Sequence, residues 1–278
     1  MRPKMRPRTR PQTAAAYNSP VNAPLPAAGA LAAIAAYRFA AIENPDSLRQ
    51  RLLAECLALD LRGTIILALE GINVALAGSR SALQTWLAAQ ADLLPAHGVD
   101  IKWQACSTLP FSRLKVKVKS EIIRMNQPTV RPQSVRAPTV DAKTLARWLQ
   151  LGHCDAGRQL ALLDTRNAFE VNAGAFAGAI DWRLSRFSDF PQALSEHANT
   201  LHGKTVVSYC TGGIRCEKAA LWMAQQGMQN VLQLDGGILR YLEATAEQQA
   251  PGWQGDCVVF DERIALNTRL APASAAVA

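Results

Sequence analysis

The chain has 278 residues, 49% hydrophobic and 19% charged, enough apolar content for one large domain or two ordinary ones and too much for a chain disordered throughout. It holds no run of about 18 apolar residues, which excludes an ordinary membrane-spanning helix. The net charge of +8 suits an anionic partner, but Arg2, Lys4, Arg6, Arg8 and Arg10 supply five of those charges and leave +3 for the rest.

Residues 1–30 carry six prolines beside that basic run and read as a disordered arm rather than a secretory signal. A strand is predicted over Ile34–Ala40. A helix follows over Asp46–Leu59, opened by Asn44–Pro45 and striped by Leu48, Leu52, Leu53, Cys56 and Leu59. Thr64–Leu69 and Ile72–Leu76 are two β-branched runs parted by Glu70–Gly71. Leu83, Trp86 and Leu87 mark a second helix after Ser79, and Val99–Ala105 alternates as a strand. The order β-α-β-β-α-β is the split, ferredoxin-like arrangement. One more strand is expected at Leu114–Val118. It sets Lys115, Lys117 and Lys119 on one face, with Arg113 and Arg124 nearby, a pattern that fits either a solvated face or a phosphate-tracking groove.

Residues 126–139 carry Pro128, Pro132 and Pro138 with Arg131 and Arg136, and read as a basic linker. Beyond it, helices at Thr144–Gln150, Asp189–Ala198, Cys216–Gln226 and Ile238–Ala246 alternate with strands at Leu160–Leu163, Ala179–Ile180, Thr205–Tyr209 and Val231–Leu234. That alternation predicts a parallel α/β sheet.

The chemistry concentrates after Tyr209. Cys210 is expected at the carboxyl end of a strand, exposed on the loop Thr211–Gly212–Gly213–Ile214–Arg215, just before a helix. Glycines that turn successive N–H groups inward, a helix N-terminus and Arg215 all favour an anion, and so favour thiolate over thiol. The C-x4-R spacing is one residue shorter than the C-x5-R of cysteine-dependent phosphatases and leaves less room for a tetrahedral phosphate. The six cysteines form no C-x-x-C pair and no zinc-ligand spacing, which fits a reducing cytoplasm. No nucleotide-binding glycine loop is present, and no motif for flavin, haem, iron or copper.

The stretch Cys210–Ala219, C-T-G-G-I-R-C-E-K-A, resembles the rhodanese-domain tRNA uridine(34) hydroxylases. The similarity extends to Glu70–Gly71–Ile72–Asn73, Lys115–Val116–Lys117, Glu121–Ile122–Ile123, Asp164–Thr165–Arg166–Asn167 with Glu170 and Gly174, and Leu234–Asp235–Gly236–Gly237–Ile238–Leu239, in order over roughly residues 34 to 268. The resemblance implies an α/β protein: a ferredoxin-like (acylphosphatase-like) domain at 31–125, the linker, a rhodanese-like domain with a parallel sheet at 140–250 and a tail at 251–278. It implies oxygen-dependent 5-hydroxylation of uridine 34 in the tRNA anticodon loop, with Cys210 as the essential cysteine and molecular oxygen as co-substrate. No protein partner is implied. Rhodanese-type sulfur transfer and a non-catalytic RNA-binding redox sensor are the rival readings.

The neighbouring residues carry weaker expectations. Cys216 resolves an oxidised Cys210 or simply packs. Glu217 suits the positive end of its helix, and Lys218 faces tRNA or solvent. Asp164 and Arg166 pair with each other or shape the site. Glu70 and Asn73 form a tight turn or face the second domain. A wobble base in a single-stranded loop splays into a pocket without duplex melting. The residues leave two mechanisms open: thiolate addition to C6 of uracil, or oxygen or sulfur carried on an oxidised or persulfidated Cys210.

Overall fold

Asn44 accepts a hydrogen bond from the Ser47 amide at 2.9 Å, and Pro45 occupies the first helical turn, so the first helix starts where its sequence signals place it. The computed structural model describes residues 30–273; most of the basic arm and the last alanine-rich residues lie outside that range. The first domain runs β1 (Leu31–Phe39), α1 (Pro45–Ala58), β2 (Arg62–Ala68), β3 (Gly71–Ser79), α2 (Arg80–Ala89), β4 (Lys102–Ala105) and β5 (Leu114–Val118). Its sheet has the order β4-β1-β3-β2-β5, antiparallel except for the β2–β5 pair. The fourth strand is shorter than the alternation predicts, because residues 96–98 turn and 99–101 lie outside the ladder, which begins at Lys102.

Alternation along β1 divides the sheet's two faces. Ala32, Ile34 and Ala36 join Leu52, Cys56, Leu83 and Trp86 in the core under α1 and α2. Ala33 and Ala35 point the other way, toward the second domain. Small side chains there leave the space that becomes a cleft.

The second domain runs β6 (Thr139–Val140), α3 (Ala142–Leu151), β7 (Leu160–Asp164), α4 (Ala168–Ala173), β8 (Gly174–Phe176), β9 (Ile180–Asp181), α5 (Phe190–His197), β10 (Thr205–Tyr209), α6 (Ile214–Gln225), β11 (Val231–Leu234) and α7 (Gly237–Ala244). The sheet order is β6-β11-β10-β7-β9, and every pair in it is parallel. Cores lie on both faces, as a parallel sheet requires: Trp148, Phe176 and Tyr241 on one, Phe187, Phe190 and Met223 on the other. After Ala250, β12 (Trp253–Gly255) pairs with β8, and β13 (Cys257–Val258) with β14 (Ala265–Leu266). The 126–139 segment packs along the second domain. Val130 and Ala137 are buried there, and Arg136 reaches Glu217 and Asp235.

Charge pairs join the domains. The Lys218 ammonium sits between Glu70 at 2.8 Å and Glu121 at 2.6 Å and also donates to the Ile123 carbonyl. Asp100 binds Lys102 at 2.7 Å and also pairs with Arg240. Among the described residues no helix is long and apolar enough to cross a membrane.

Candidate active site

Cys210 follows β10 in the middle of the parallel sheet, at the carboxyl edge where open α/β sheets bind ligands. The helix after it starts two residues earlier than its periodicity suggests, at Ile214, so Arg215 and Cys216 belong to its first turn. Gly213 caps that helix at φ +100° and points its amide at the Cys210 sulfur, 3.1 Å away. A second helix braces the loop from behind. The amides of Ile238 and Leu239, at the start of α7, donate to the carbonyls of Cys210 and Thr211 at 2.9 and 3.1 Å. Gly237 makes this approach possible: at φ +66°, a Cβ there would stand 2.4 Å from the Cys210 carbonyl oxygen. Lys102, from the first domain, donates to the Gly212 carbonyl at 3.1 Å.

These braces overturn the expectation of an exposed cysteine. Cys210 has no accessible surface of its own, yet its atoms form part of the wall of a cleft of about 530 Å³. Burial alone would raise its pKa. Against that, the Cys216 thiol donates to it, Arg215 adds positive charge, and the Arg215 and Gly213 amides donate, and the net result holds Cys210 well below the ordinary thiol range. Burial and the Cys210 charge push Cys216 well above that range, so it stays a protonated donor.

Arg215 is less free than its place in the loop suggests. Its guanidinium forms a two-pronged pair with Glu170, both contacts at 2.7 Å, and both side chains are buried. Its field reaches Cys210 while its donors are largely committed. Glu170 also accepts from the Asn167 amide and from the Thr211 hydroxyl. The pair Asp164–Arg166 forms as one of its two readings has it, with contacts of 2.6 to 3.2 Å. It is wholly buried, and Arg166 goes on to the Gly174 carbonyl at 2.6 Å, so it fixes α4 rather than touching the cleft. Thr165 bridges the Tyr209 carbonyl and the Cys216 sulfur.

Two expectations for the helix after the loop change. Lys218 meets neither solvent nor RNA; it is buried in the carboxylate pair that joins the domains. Glu217 sits in the first turn as its charge suggests, but its carboxylate is also claimed by Arg136 at 3.1 Å, Gln233 at 2.8 Å and the Tyr37 hydroxyl at 3.3 Å. Glu70 and Asn73 do face the second domain: Glu70 binds Lys218, and Asn73 lines the cleft.

The cleft lies between the domains. Ala33, Ala35, Thr64, Ile66 and Ala75 line its first-domain side, and Cys210, Gly212 and Arg215 belong to its second-domain side. Val259, Phe260, Asp261 and Arg263 also line it. Glu262 and Arg263 tie that segment to the first domain, through the Pro110 carbonyl at 3.0 Å and Gln104 at 2.7 Å. Lys115 and Lys117 on β5 stand in register with Thr64 and Ile66 on β2, so the lysine stripe continues the lining face of the sheet to its edge. Arg113, Lys117 and Lys119 are exposed and Lys115 is half-buried. Sequence reasoning missed Glu170 as the partner of Arg215, the brace at Gly237, Lys102 and the 259–263 wall. Only the Asp235–Gly236–Gly237 turn carried a local signal.

Comparison with known proteins agrees with this architecture. Residues 31–122 match the UPF0176 acylphosphatase like domain and residues 142–244 the Rhodanese-like domain. A tRNA uridine(34) hydroxylase of Bordetella petrii is 54% identical over 249 residues, covering 88% of this chain and 96% of that protein. One from Bordetella pertussis is 52% identical, covering 87% and 98%, and one from Variovorax paradoxus is 52% identical, covering 88% and 94%. With similarity at this level along nearly the whole length of its relatives, the chain belongs to the tRNA uridine(34) hydroxylase family.

Proposed function

We propose that this protein hydroxylates C5 of uridine 34 in the anticodon loop of tRNA, in the cytoplasm, with Cys210 as the reacting group. The carrying observation is a thiol held toward its thiolate at the wall of a cleft that both domains build. The relatives' name supplies the substrate. The cleft volume falls in the range of small-ligand sites, so it suits one nucleobase splayed from a single-stranded loop.

The chemistry follows from the thiolate. Bond formation between Cys210 Sγ and C6 of uracil places electron density on C5. C5 then takes one atom of molecular oxygen as a hydroxyl; the other leaves as water, at the expense of two electrons from an external reductant and of protons from solvent. Loss of the C5 proton and of the thiolate from C6 restores the ring double bond. The protein's part is to hold the thiolate, through Gly213, Cys216 and Arg215, and to exclude bulk water. Arg113, Lys115, Lys117 and Lys119 would track the RNA phosphates along the edge that leads into the cleft.

Nucleoside mass spectrometry of unmodified tRNA incubated with the protein, oxygen and a chemical reductant such as ascorbate tests this reading. The wild type is expected to form 5-hydroxyuridine at position 34, and Cys210→Ala none, with tRNA affinity kept. Full activity in Cys210→Ala would sink the mechanism. Thiosulfate-to-cyanide sulfur transfer without tRNA hydroxylation would favour the sulfurtransferase reading.

A further inference from the structure

Seven large hydrophobic side chains are exposed among the described residues, and two of them are aromatic: Phe169 at 54% and Phe260 at 67%. They stand far apart in sequence and together in space, with ring centroids 6.4 Å apart and planes at 84°. Phe260 lines the cleft that holds Cys210, and Phe169 follows Asn167, which lines it too. We propose that Phe169 and Phe260 form a stacking step at the mouth of the cleft for the nucleobase next to the one that enters it.

Four observations support this. The rings sit on firm supports. Phe169 lies in α4, whose first turn is held by the Asn167 amide donating to the Glu170 carboxylate at 3.1 Å, and which is anchored by the buried Glu170 and by Arg166. Phe260 lies in a turn held by Asp261–Arg263 and by the Val259 amide bound to the Ile264 carbonyl at 2.9 Å. An exposed ring held this firmly presents a face without a large ordering cost on binding. Second, the surroundings suit a polyanion: exposed Arg124 and Arg186 line the same cleft, and the lysine stripe leads into it. An apolar protein segment would not need that rim, whereas a single strand of RNA needs both stacking faces and cations. Third, Cys210 lies in the wall with no exposed surface, while both rings are more than half exposed. A base that reaches the sulfur therefore leaves its neighbour in the strand at the mouth, where the rings are. Fourth, the two rings stand nearly perpendicular, so a base that stacks flat on one meets the other close to edge-on.

This inference rests on the proposed RNA substrate and adds a residue-level subsite to it. The probe is an anticodon stem-loop RNA with 2-aminopurine beside uridine 34, on the 3′ side in one RNA and the 5′ side in another. Binding to the wild type is expected to change the 2-aminopurine emission on one side, as stacking does, and Phe169→Ala with Phe260→Ala should abolish that change. The double variant should also weaken stem-loop binding by about 5- to 100-fold. Cys210 thiolate absorbance should not move, which shows the loop intact. Phe260→Trp should preserve binding, whereas Phe260→Leu, apolar but without a ring face, should behave like Phe260→Ala. Leucine restoring full affinity, or a double variant that binds like the wild type while the wild type still hydroxylates, would overturn the stacking step and leave the proposed function standing. A wild type that neither binds nor hydroxylates the stem-loop would overturn both.

Discussion

The Cys210 thiolate is held by the Gly213 amide, by the Arg215 charge and by the neighbouring Cys216 thiol, which burial and the Cys210 charge keep protonated. Burial sets the two cysteines apart: one sulfur takes the charge, and the other, denied it, becomes the donor. The proposal this supports for Cys216 is a hydrogen-bond donor rather than a disulfide partner. Replacing it by alanine removes a donor from the thiolate, so the Cys210 pKa should rise, and replacing it by serine should keep most of the shift. Ultraviolet thiolate absorbance against pH, with Cys210→Ser as the blank, measures both. The sign is fixed by the chemistry: the reacting form is deprotonated, so activity should be lost as pH falls through the lowered Cys210 pKa and persist through the ordinary thiol range. In Cys216→Ala that acid limb should move to higher pH. An unmoved limb would mean that Gly213 and Arg215 suffice.

At the scale of elements, the loop is a joint between two helix N-termini. α6 supplies the Gly213 amide to the sulfur, and α7 supplies two amides to the loop carbonyls. Gly237 and Gly212 therefore differ sharply, although both lie in glycine pairs. Gly237→Ala would drive a Cβ to within 2.4 Å of backbone, at a positive φ that alanine resists. It should cost about 2 kcal/mol, lower the melting temperature by several degrees and cut activity further by displacing Cys210. At Gly212 a Cβ meets nothing within 4 Å, so Gly212→Ala should melt like the wild type. Equal melting of the two variants would refute the brace. What the sequence made legible follows the same division. Strand Thr205–Tyr209, the glycine loop and the helix after it are local patterns, and so was Cys210. The Arg215–Glu170 pair spans 45 positions and the Lys102–Gly212 contact 110, and no periodicity encodes such distances. Ala35 was read only as a strand residue and Ala33 lay outside the predicted strand, Ile34–Ala40, whereas the strand begins at Leu31; a small side chain on a sheet's second face becomes a cleft wall only when another domain stands opposite. Residues 260–263 were legible as part of the family resemblance but not as a cleft wall, since a short turn anchored by Asp261 and Arg263 looks like any polar loop.

For the whole molecule, the interface decides function, because the cleft exists only while the domains are held together. Lys218 is the central tie, one cation between two carboxylates that are themselves mostly buried. Lys218→Met would leave Glu70 and Glu121 without their cation, and breaking a buried pair of this kind costs about 3 kcal/mol. Melting should reveal that loss, and substrate KM should rise more than the thiolate titration shifts, since the loop itself is untouched. The outer surface of the same assembly must then bring tRNA to the cleft. β5 is an edge strand, and its parallel register with β2 carries Lys115 and Lys117 onto the face that lines the cleft, with Arg113 and Lys119 beyond either end. A solvated face would have no reason to lead into the site, whereas a phosphate track would. Each phosphate contact adds about 0.7–0.9 to the slope of log affinity against log salt. Replacing Lys115, Lys117 and Lys119 together by alanine should therefore weaken tRNA binding and flatten that slope by about 2 units. The three side chains lie away from the sulfur, so the Cys210 titration should hold, separating a lost RNA contact from a damaged loop. Deleting residues 1–10 removes five further cations and should flatten the slope only if the arm touches tRNA. A triple variant with unchanged affinity and slope would make the stripe an ordinary solvated face, and the RNA would then have to approach the cleft past Arg124 and Arg186, which also line it.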